Sequence, residues 1–463
     1  MKNNIDILLI NPPCILKKGN FWKDLLASTP ALGLGYLAAT LEKRGFSAGI
    51  LDAAVEGKVL EDIAPMLQAN TAPWVGVSAT SYTFDSAVQV AREVKTRCPE
   101  TNVVLGGIHP TLFPEEALQH PFIDCVVRRE GDLTLPELLE GRPRDTIAGI
   151  SYRDNGKLVH NPDRPLIQNL DDIPFPAYHL LPVAQGRLTL GCAKRTPAAM
   201  LIGSRGCPFK CTFCTTAAMG KQVRYRSPEN ILEEIKLLMN NHGIREIHFQ
   251  DDNFTLKQDN VAGFCELLLR ENIDVSWLCM ARVTSVTPEV LDLMKKAGCH
   301  QICFGIESGD ETILKNIGKN ITLDQVRKAV GWTRQAGIDT RGSFMLGCPG
   351  ETEATLQKSL DFMKELDLDL VSINILTPMP GTEIRRWAQR EGLLMTEDWN
   401  DYTFTRSVIR LPTIAPETVD QYLRKIYREF YLRPSYISKR LLKIRSLEDI
   451  KMNIKAALLL IKS

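Results

Sequence analysis

No stretch of about 18 uncharged apolar residues occurs in this 463-residue sequence, so a membrane-spanning helix is not expected. An excess of charge of one sign is missing too. With 56 Lys plus Arg against 55 Asp plus Glu, the net charge of +1 gives no global reason to bind nucleic acid or an acidic partner. Nor is a secretory leader expected: the apolar run from Ile5 to Ile10 is too short for a signal-peptide core, no small-residue cleavage site follows it, and it reads as a strand. These absences point to the cytoplasm. Twelve cysteines in a reducing compartment then read as thiols or metal ligands in preference to disulfides.

The length exceeds what one hydrophobic core usually organises, and two domains with a tail are expected. Up to about Gly141, short apolar runs (7–10, 48–52, 74–79, 102–106 and 124–127) alternate with segments such as Leu34 to Arg44 and Phe84 to Arg97, whose apolar residues recur every three or four positions. Strands alternating with helices imply an α/β domain of the doubly wound, flavodoxin-like (Rossmann-like) kind, with ligands beyond the carboxyl ends of the strands. Those ends carry Asn11-Pro12-Pro13, Ser78, and the run Gly106-Gly107-Ile108-His109.

Asn155-Gly156 between two alternating runs signals a tight hairpin. Pro174, Pro176 and Pro182 then mark an interdomain linker. A second series of six strand-plus-helix units (strands at 198–204, 246–250, 275–280, 301–307, 340–347 and 369–376) suggests a partial (β/α)6 barrel, with its chemistry at the strands' carboxyl ends. The expected organisation is 1–145 for the first domain, 146–190 for hairpin and linker, 191–385 for the barrel, and 386–463 for a helical C-terminal region.

The loop after the first barrel strand reads SRGCPFKCTFC, placing Cys207, Cys211 and Cys214 three and two residues apart. Thiolate zinc sites normally close with four protein ligands, commonly two Cys-x-x-Cys pairs, and no second pair follows. Three thiols so spaced suit a 4Fe-4S cluster held at three irons, its fourth iron open to an outside ligand. Of the remaining cysteines, Cys299 and Cys303 fall on one face of a predicted strand by their separation of four and read as core. Cys279 and Cys348, at strand ends, are candidates for the cavity.

With that loop and Phe213 just before its last cysteine, the chain resembles the radical S-adenosylmethionine superfamily. The stretches HFQDDNFT (248–255), CFGIESG (303–309), FMLGCPGET (344–352) and TPMPGTE (377–383) are similar to its strand-end motifs, in the same order. The resemblance implies that Cys207, Cys211 and Cys214 ligate the cluster and that S-adenosylmethionine takes the fourth iron. It also implies that reduction cleaves the cofactor to a hydrogen-abstracting 5'-deoxyadenosyl radical. Glu307, at a strand end, would receive ribose hydroxyls or the methionyl ammonium, with a salt-bridged carboxylate as the alternative. Asp251, and with it Asp252, either faces the cavity or caps the next segment, and Arg282 either meets a carboxylate in the barrel or forms a structural ion pair.

A flavodoxin-like domain before a radical domain resembles the cobalamin-binding branch, which includes methylases and the anaerobic magnesium-protoporphyrin monomethyl ester cyclase. The segments 30–46, 106–118 and 129–139 carry that resemblance. It implies a bound cobalamin near Ser78, Gly106, Gly107 and His109. The D-x-H-x-x-G motif that supplies a cobalt-ligating histidine is absent, and His109 lacks its context, so either cobalamin binds without a histidine ligand, as this branch tolerates, or the domain keeps the fold without the cofactor.

The expected activity is modification of an unactivated carbon, by methyl transfer or by cyclisation or rearrangement, on a small-molecule or lipid-like substrate. A flavodoxin or ferredoxin would donate the electron, and no nucleic acid is expected. A methylthiotransferase would need three clustered cysteines in the first domain; Cys14, Cys98 and Cys125 are unevenly spaced, which disfavours it. A non-catalytic iron–sulfur or cobalamin sensor is the other alternative. From Tyr431 a basic amphipathic tail reads either as a helix packed on the barrel or as a peripheral membrane contact.

Overall fold

The computed structural model describes residues 5–13, 28–69, 72–186 and 191–441. Its first sheet has seven strands: β1 (Ile7–Asn11), β2 (Ala48–Asp52), β3 (Trp74–Ser78), β4 (Asn102–Gly106), β5 (Cys125–Val127), β6 (Ile150–Asp154) and β7 (Lys157–His160), in the order β2-β1-β3-β4-β5-β6-β7. The first five pair in parallel. Alternation along β1 explains why both faces are covered: Leu8 and Ile10 join a core with Phe84, Ala87 and Val90 of helix Phe84–Arg97, while Ile7 and Leu9 join one with Leu34, Ala38 and Leu41 of helix Leu32–Lys43. The Asn155-Gly156 hairpin does not stand apart as a connector. It adds β6, antiparallel to β5, and then β7, antiparallel to β6, to the edge of this sheet, so the sheet continues to His160.

The second sheet contains β8 (Ala198–Leu201), β11 (Glu246–Phe249), β12 (Ser276–Ala281), β13 (Cys299–Glu307), β14 (Asp339–Leu346) and β15 (Leu370–Ile375), all parallel, in the order β15-β14-β13-β12-β11-β8. Between β8 and β11 a two-residue clasp joins β9 (Ser204–Arg205) to β10 (Arg224–Tyr225). Most helices that follow the strands start where the sequence supplies a cap: Ser227, Thr287, Thr322, Thr352 and Thr382 each accept a backbone N–H from their helix's first turn, while helix Gln258–Arg270 starts without one. Ile302, Phe304 and Ile306 of β13 bury against these helices. The linker is anchored as well, with Tyr178 and Leu181 in the same core as Leu32 and Tyr36 of the first domain.

Helix Pro416–Tyr431 covers the edge strand β15. Tyr431 Oη takes the N–H of Val371 at 2.9 Å and Tyr427 Oη that of Ile373 at 3.2 Å, while Tyr436 Oη donates to Asp369 O at 3.0 Å. Of the basic tail, helix Pro434–Leu441 is described; the expectation for 442–463 lies outside the described residues. Among the described residues no helix is long and apolar enough to cross a membrane.

Candidate functional site

The three-cysteine loop leaves the carboxyl end of β8 through a braced turn. Asp251, buried at the end of β11, accepts the N–H of Gly203 at 2.8 Å and the hydroxyl of Ser204 at 2.7 Å. Burial pushes its carboxyl up to about 6 despite those bonds. Asp251 therefore fixes the root of the loop from within the wall. Gly206 follows at φ +98°, where a Cβ would overlap the Gln222 carbonyl oxygen, so the tight exit needs glycine.

Within the loop Cys211 is buried, while Cys207 and Cys214 are half-buried. The loop rests on the segment after β13, where Thr212 N donates to Ile317 O at 3.0 Å, and on the end of the barrel, where Ile384 N donates to Thr212 O at 3.0 Å. Phe213 is partly buried against the barrel core. Burial raises the Cys207 and Cys211 thiols; at Cys211 the cations of Lys319 and Arg282 oppose it. The Arg282 guanidinium lies 3.9 Å over the Phe209 ring and donates to the carbonyls of Lys319 and Asn320, so its partners are backbone and ring and not a carboxylate.

Glu307 ends β13 with φ +70°, beside a register irregularity between Gly305 and Glu307. A non-glycine residue in the left-handed region stores strain that the surroundings must hold. The holding contact is Lys319, whose Nζ donates to Glu307 Oε1 at 2.8 Å. Gly305 makes room for that pair, since a Cβ there would lie 2.7 Å from Lys319 Nζ. Glu307 is thus a salt-bridged strand-end carboxylate, placed with Lys319 and Arg282 next to the cysteine loop. Asp252 accepts the Thr216 hydroxyl at 3.2 Å, and burial raises its carboxyl.

Among the described residues no three His, Cys, Asp or Glu side chains converge as around one metal ion. A cubane asks for something else, because each thiolate binds a different iron of the cube. Three thiols on one eight-residue loop, two of them half-buried and the third beside two cations, fit such a cluster.

On the first domain, Ser78 and Gly106 are half-buried and Gly107 is exposed at the carboxyl rim of β3 and β4. Gly107 has φ +103°, and a Cβ would meet the Ala79 carbonyl oxygen at 2.6 Å, so the rim's close approach depends on it. His109 is fully buried and does not face the rim's open side. Its Nδ1 sits 3.0 Å from Ser81 Oγ, its Nε2 3.4 Å from Glu116 Oε2, and Phe84 and Trp399 enclose its ring.

The residues that sequence reasoning missed join the two rims. Glu130, just after β5, receives Arg205 at 3.0 Å and Arg224 at 2.8 Å, and Asp132 also receives Arg205, at 3.2 Å. Arg205 is the last residue of β9, two before Cys207. A second tie runs through Trp399, whose Nε1 donates to Glu116 at 2.8 Å while Arg385 stacks on its ring at 4.6 Å. The run REGDL and the arginine before the cysteines were visible signals, but their partnership spans 75 positions.

The thiols elsewhere correct the expectation from strand alternation. A register shift between Trp277 and Leu278 places Cys299 opposite Trp277 on the helix-covered face, while Cys303 pairs with exposed Met280 on the other. The shift inverts the faces, so Cys299 and Cys303 do not share one. Cys279 is fully buried beside Cys299 in the core, not in the cavity, and Cys348 is also fully buried. Cys98 is half-buried after helix Phe84–Arg97 and Cys125 begins β5, both away from the carboxyl rim; Cys14 lies outside the described residues.

Known families match both halves. The Radical SAM superfamily model matches residues 201–379 and the B12 binding domain model residues 25–139. The chain is similar to an uncharacterized methyltransferase of Pyrococcus horikoshii, at 38% identity over 94% of each chain. It is 29% identical to cytidylyl-2-hydroxyethylphosphonate methyltransferase of Streptomyces wedmorensis, over 92% of this chain and 90% of that one. The anaerobic magnesium-protoporphyrin IX monomethyl ester cyclase of Rubrivivax gelatinosus is 26% identical over 89% of this chain and 76% of its own. In fold the chain is similar to the cobalamin-dependent S-adenosylmethionine radical enzyme OxsB, with a TM-score of 0.75 and 20% identity over 98% of this chain and 70% of that one.

Proposed function

We propose that this chain, which belongs to the family of cobalamin-dependent radical S-adenosylmethionine methyltransferases and cyclases, transfers a methyl group to an unactivated carbon of a small molecule. The observation that carries the reading is the Glu130–Arg205 pair: residues just beyond the carboxyl ends of β5 and β8 are locked together, so the two rims that would bind the two cofactors face each other. Methyl transfer needs that proximity; a first domain kept only as a fold would not. The high coverage of two methyltransferases supports the same choice.

In this reading Cys207, Cys211 and Cys214 hold a 4Fe-4S cluster, and Phe213, Asp251 and Glu307 belong to the wall around S-adenosylmethionine. Ser78, Gly106 and Gly107 offer a rim with little side-chain bulk to cobalamin. His109 is enclosed and supplies no cobalt ligand, which accords with the absent D-x-H-x-x-G motif. When bound, the cluster would deliver an electron that cleaves S-adenosylmethionine, and cobalamin would carry the methyl group. The chain's own residues keep the loop's geometry through Asp251 and Gly206, balance charge near Cys211 through Arg282 and Lys319, and hold the domains closed through Glu130 and Trp399. An external one-electron donor, such as a flavodoxin or ferredoxin, completes the reaction.

The test is anaerobic reconstitution with iron, sulfide and hydroxocobalamin, reduction with dithionite in the presence of S-adenosylmethionine, and quantitation of products. Cobalamin-dependent accumulation of both 5'-deoxyadenosine and S-adenosylhomocysteine supports methyl transfer. Formation of 5'-deoxyadenosine alone, abolished by Cys211→Ala, overturns the methyl-transfer reading and leaves a radical enzyme whose first domain serves another purpose.

A further inference from the structure

The half-barrel has one sheet face packed by helices and one that is not. On the open face, register aligns Met280, Cys303, Arg341 and Leu370 across β12 to β15, and Gly305, Ser343 and Ser372 in the next layer towards the carboxyl ends. Met280 is 37% exposed although its strand has a neighbour on each side. Gln250 and Asn374, on the same face, are exposed too. The middle of the sheet is therefore open to a ligand.

Arg341 stands in this layer, half-buried, with its Nη1 donating to the Cys192 thiol at 2.9 Å. No carboxylate pairs with it among the described residues. The buried arginines Arg128, Arg224, Arg226 and Arg385 each have one, and buried Arg282 has two backbone carbonyls and the Phe209 ring instead, whereas Arg341 has only the thiol. The ionisable groups that face Arg341 are Cys303 of β13, Cys192 before β8, and Tyr427 and Tyr431 of the covering helix. Burial raises the Cys192 and Cys303 thiols, so all four are neutral near pH 7. A partly desolvated guanidinium with no anion costs free energy that a bound oxyanion offsets, and its planar fork matches a carboxylate or phosphate.

We infer that Arg341 is a specificity-determining residue that receives an acidic group of the substrate, a carboxylate or a phosphate, inside the half-barrel. It lies five residues before the end of β14, so the recognised acid sits roughly 15 Å below the rim. The inference rests on the proposed function only in taking this cavity as the substrate's.

Phenylglyoxal labelling of the full-length reconstituted protein, followed by peptide mapping, tests it at constant ionic strength in chloride, inorganic phosphate or acetate. Phosphate or acetate is expected to slow modification of Arg341 about threefold or more, while exposed Arg245 reacts equally in all three. Protection by phosphate alone assigns a phosphoryl group, and protection by acetate a carboxylate. Equal rates in the three salts, or no modification of Arg341 in chloride, overturn the inference. Calorimetric titration of the protecting anion is a second reading: Arg341→Gln should bind about tenfold more weakly or worse, with Arg341→Lys between it and the parent, and equal affinity in all three overturns the proposal. Labelling needs neither cluster reduction nor S-adenosylmethionine cleavage, so absence of 5'-deoxyadenosine from the parent enzyme would count against the proposed function alone.

Discussion

Glu130 of the first domain accepts Arg205 of the barrel at 3.0 Å, and that guanidinium lies two residues before the first cysteine of the loop. The same carboxylate receives Arg224 across the β9–β10 clasp, and Asp132 shares Arg205. Domain docking and loop position are thus one structural unit. Glu130→Gln leaves Arg224, 7% exposed at its side chain, without its carboxylate. The expected loss is about 2–3 kcal/mol in urea unfolding. A loss under about 0.5 kcal/mol, typical of exposed pairs, would show that the domains are held by other contacts.

The cysteine loop makes a compositional prediction. Alanine at Cys207, Cys211 or Cys214 should lower iron from roughly four per chain to below one after anaerobic reconstitution. Alanine at Cys279 or Cys299, buried in the core, should leave iron content unchanged. Iron analysis and the visible absorbance of the cluster check both.

Gly107 and Gly33 separate backbone need from chance. Gly107→Ala puts a Cβ 2.6 Å from the Ala79 carbonyl oxygen at φ +103° and should cost about 2 kcal/mol or more. Gly33→Ala, in helix Leu32–Lys43 with open space around it, should raise stability by about 0.5–1 kcal/mol. Thermal unfolding of the two variants should therefore shift in opposite directions.

Stability should fall with pH because of Glu351, fully buried after β14, which accepts the N–H of Cys348 at 2.9 Å and that of Gly347. Burial raises its carboxyl from 4.5 to about 7. The folded chain then holds this proton more tightly than the unfolded chain, so the contribution is complete below pH 4.5 and lost as pH rises through 7. Glu351→Gln should remove that slope and be the more stable form at pH 8, by on the order of 3 kcal/mol. Parallel Tm–pH curves for the two proteins would refute this.

Much of this architecture can be read from the chain. Strand alternation on both sides of β1 predicts the doubly wound sheet, and threonine or serine marks the start of five barrel helices, though not of helix Gln258–Arg270, which Lys257 precedes without a side-chain cap. The cysteine spacing alone narrows the metal chemistry. What cannot be read is pairing at long range and local irregularity. Glu307 was visible as an acid at a strand end, but its bond to Lys319 depends on a β-bulge and a left-handed backbone that no periodicity encodes. One register shift beside Trp277 likewise reverses the face of Cys299. His109 fell at the expected rim, yet its side chain turned inward to Ser81 and Trp399, because a short helix after Gly107 redirects it.

The tyrosines along β15 bear on what the half-barrel can never become. Val371, Ile373 and Ile375 are alternate residues of the outermost strand, and their N–H groups are already taken by Tyr431, Tyr427 and the Phe404 carbonyl. A further strand, from this chain or a neighbouring molecule, would find no free donors there. The sheet is insulated against edge-to-edge aggregation and against closing into a full cylinder. Whatever binds within the half-barrel, its β15 edge stays closed to further pairing.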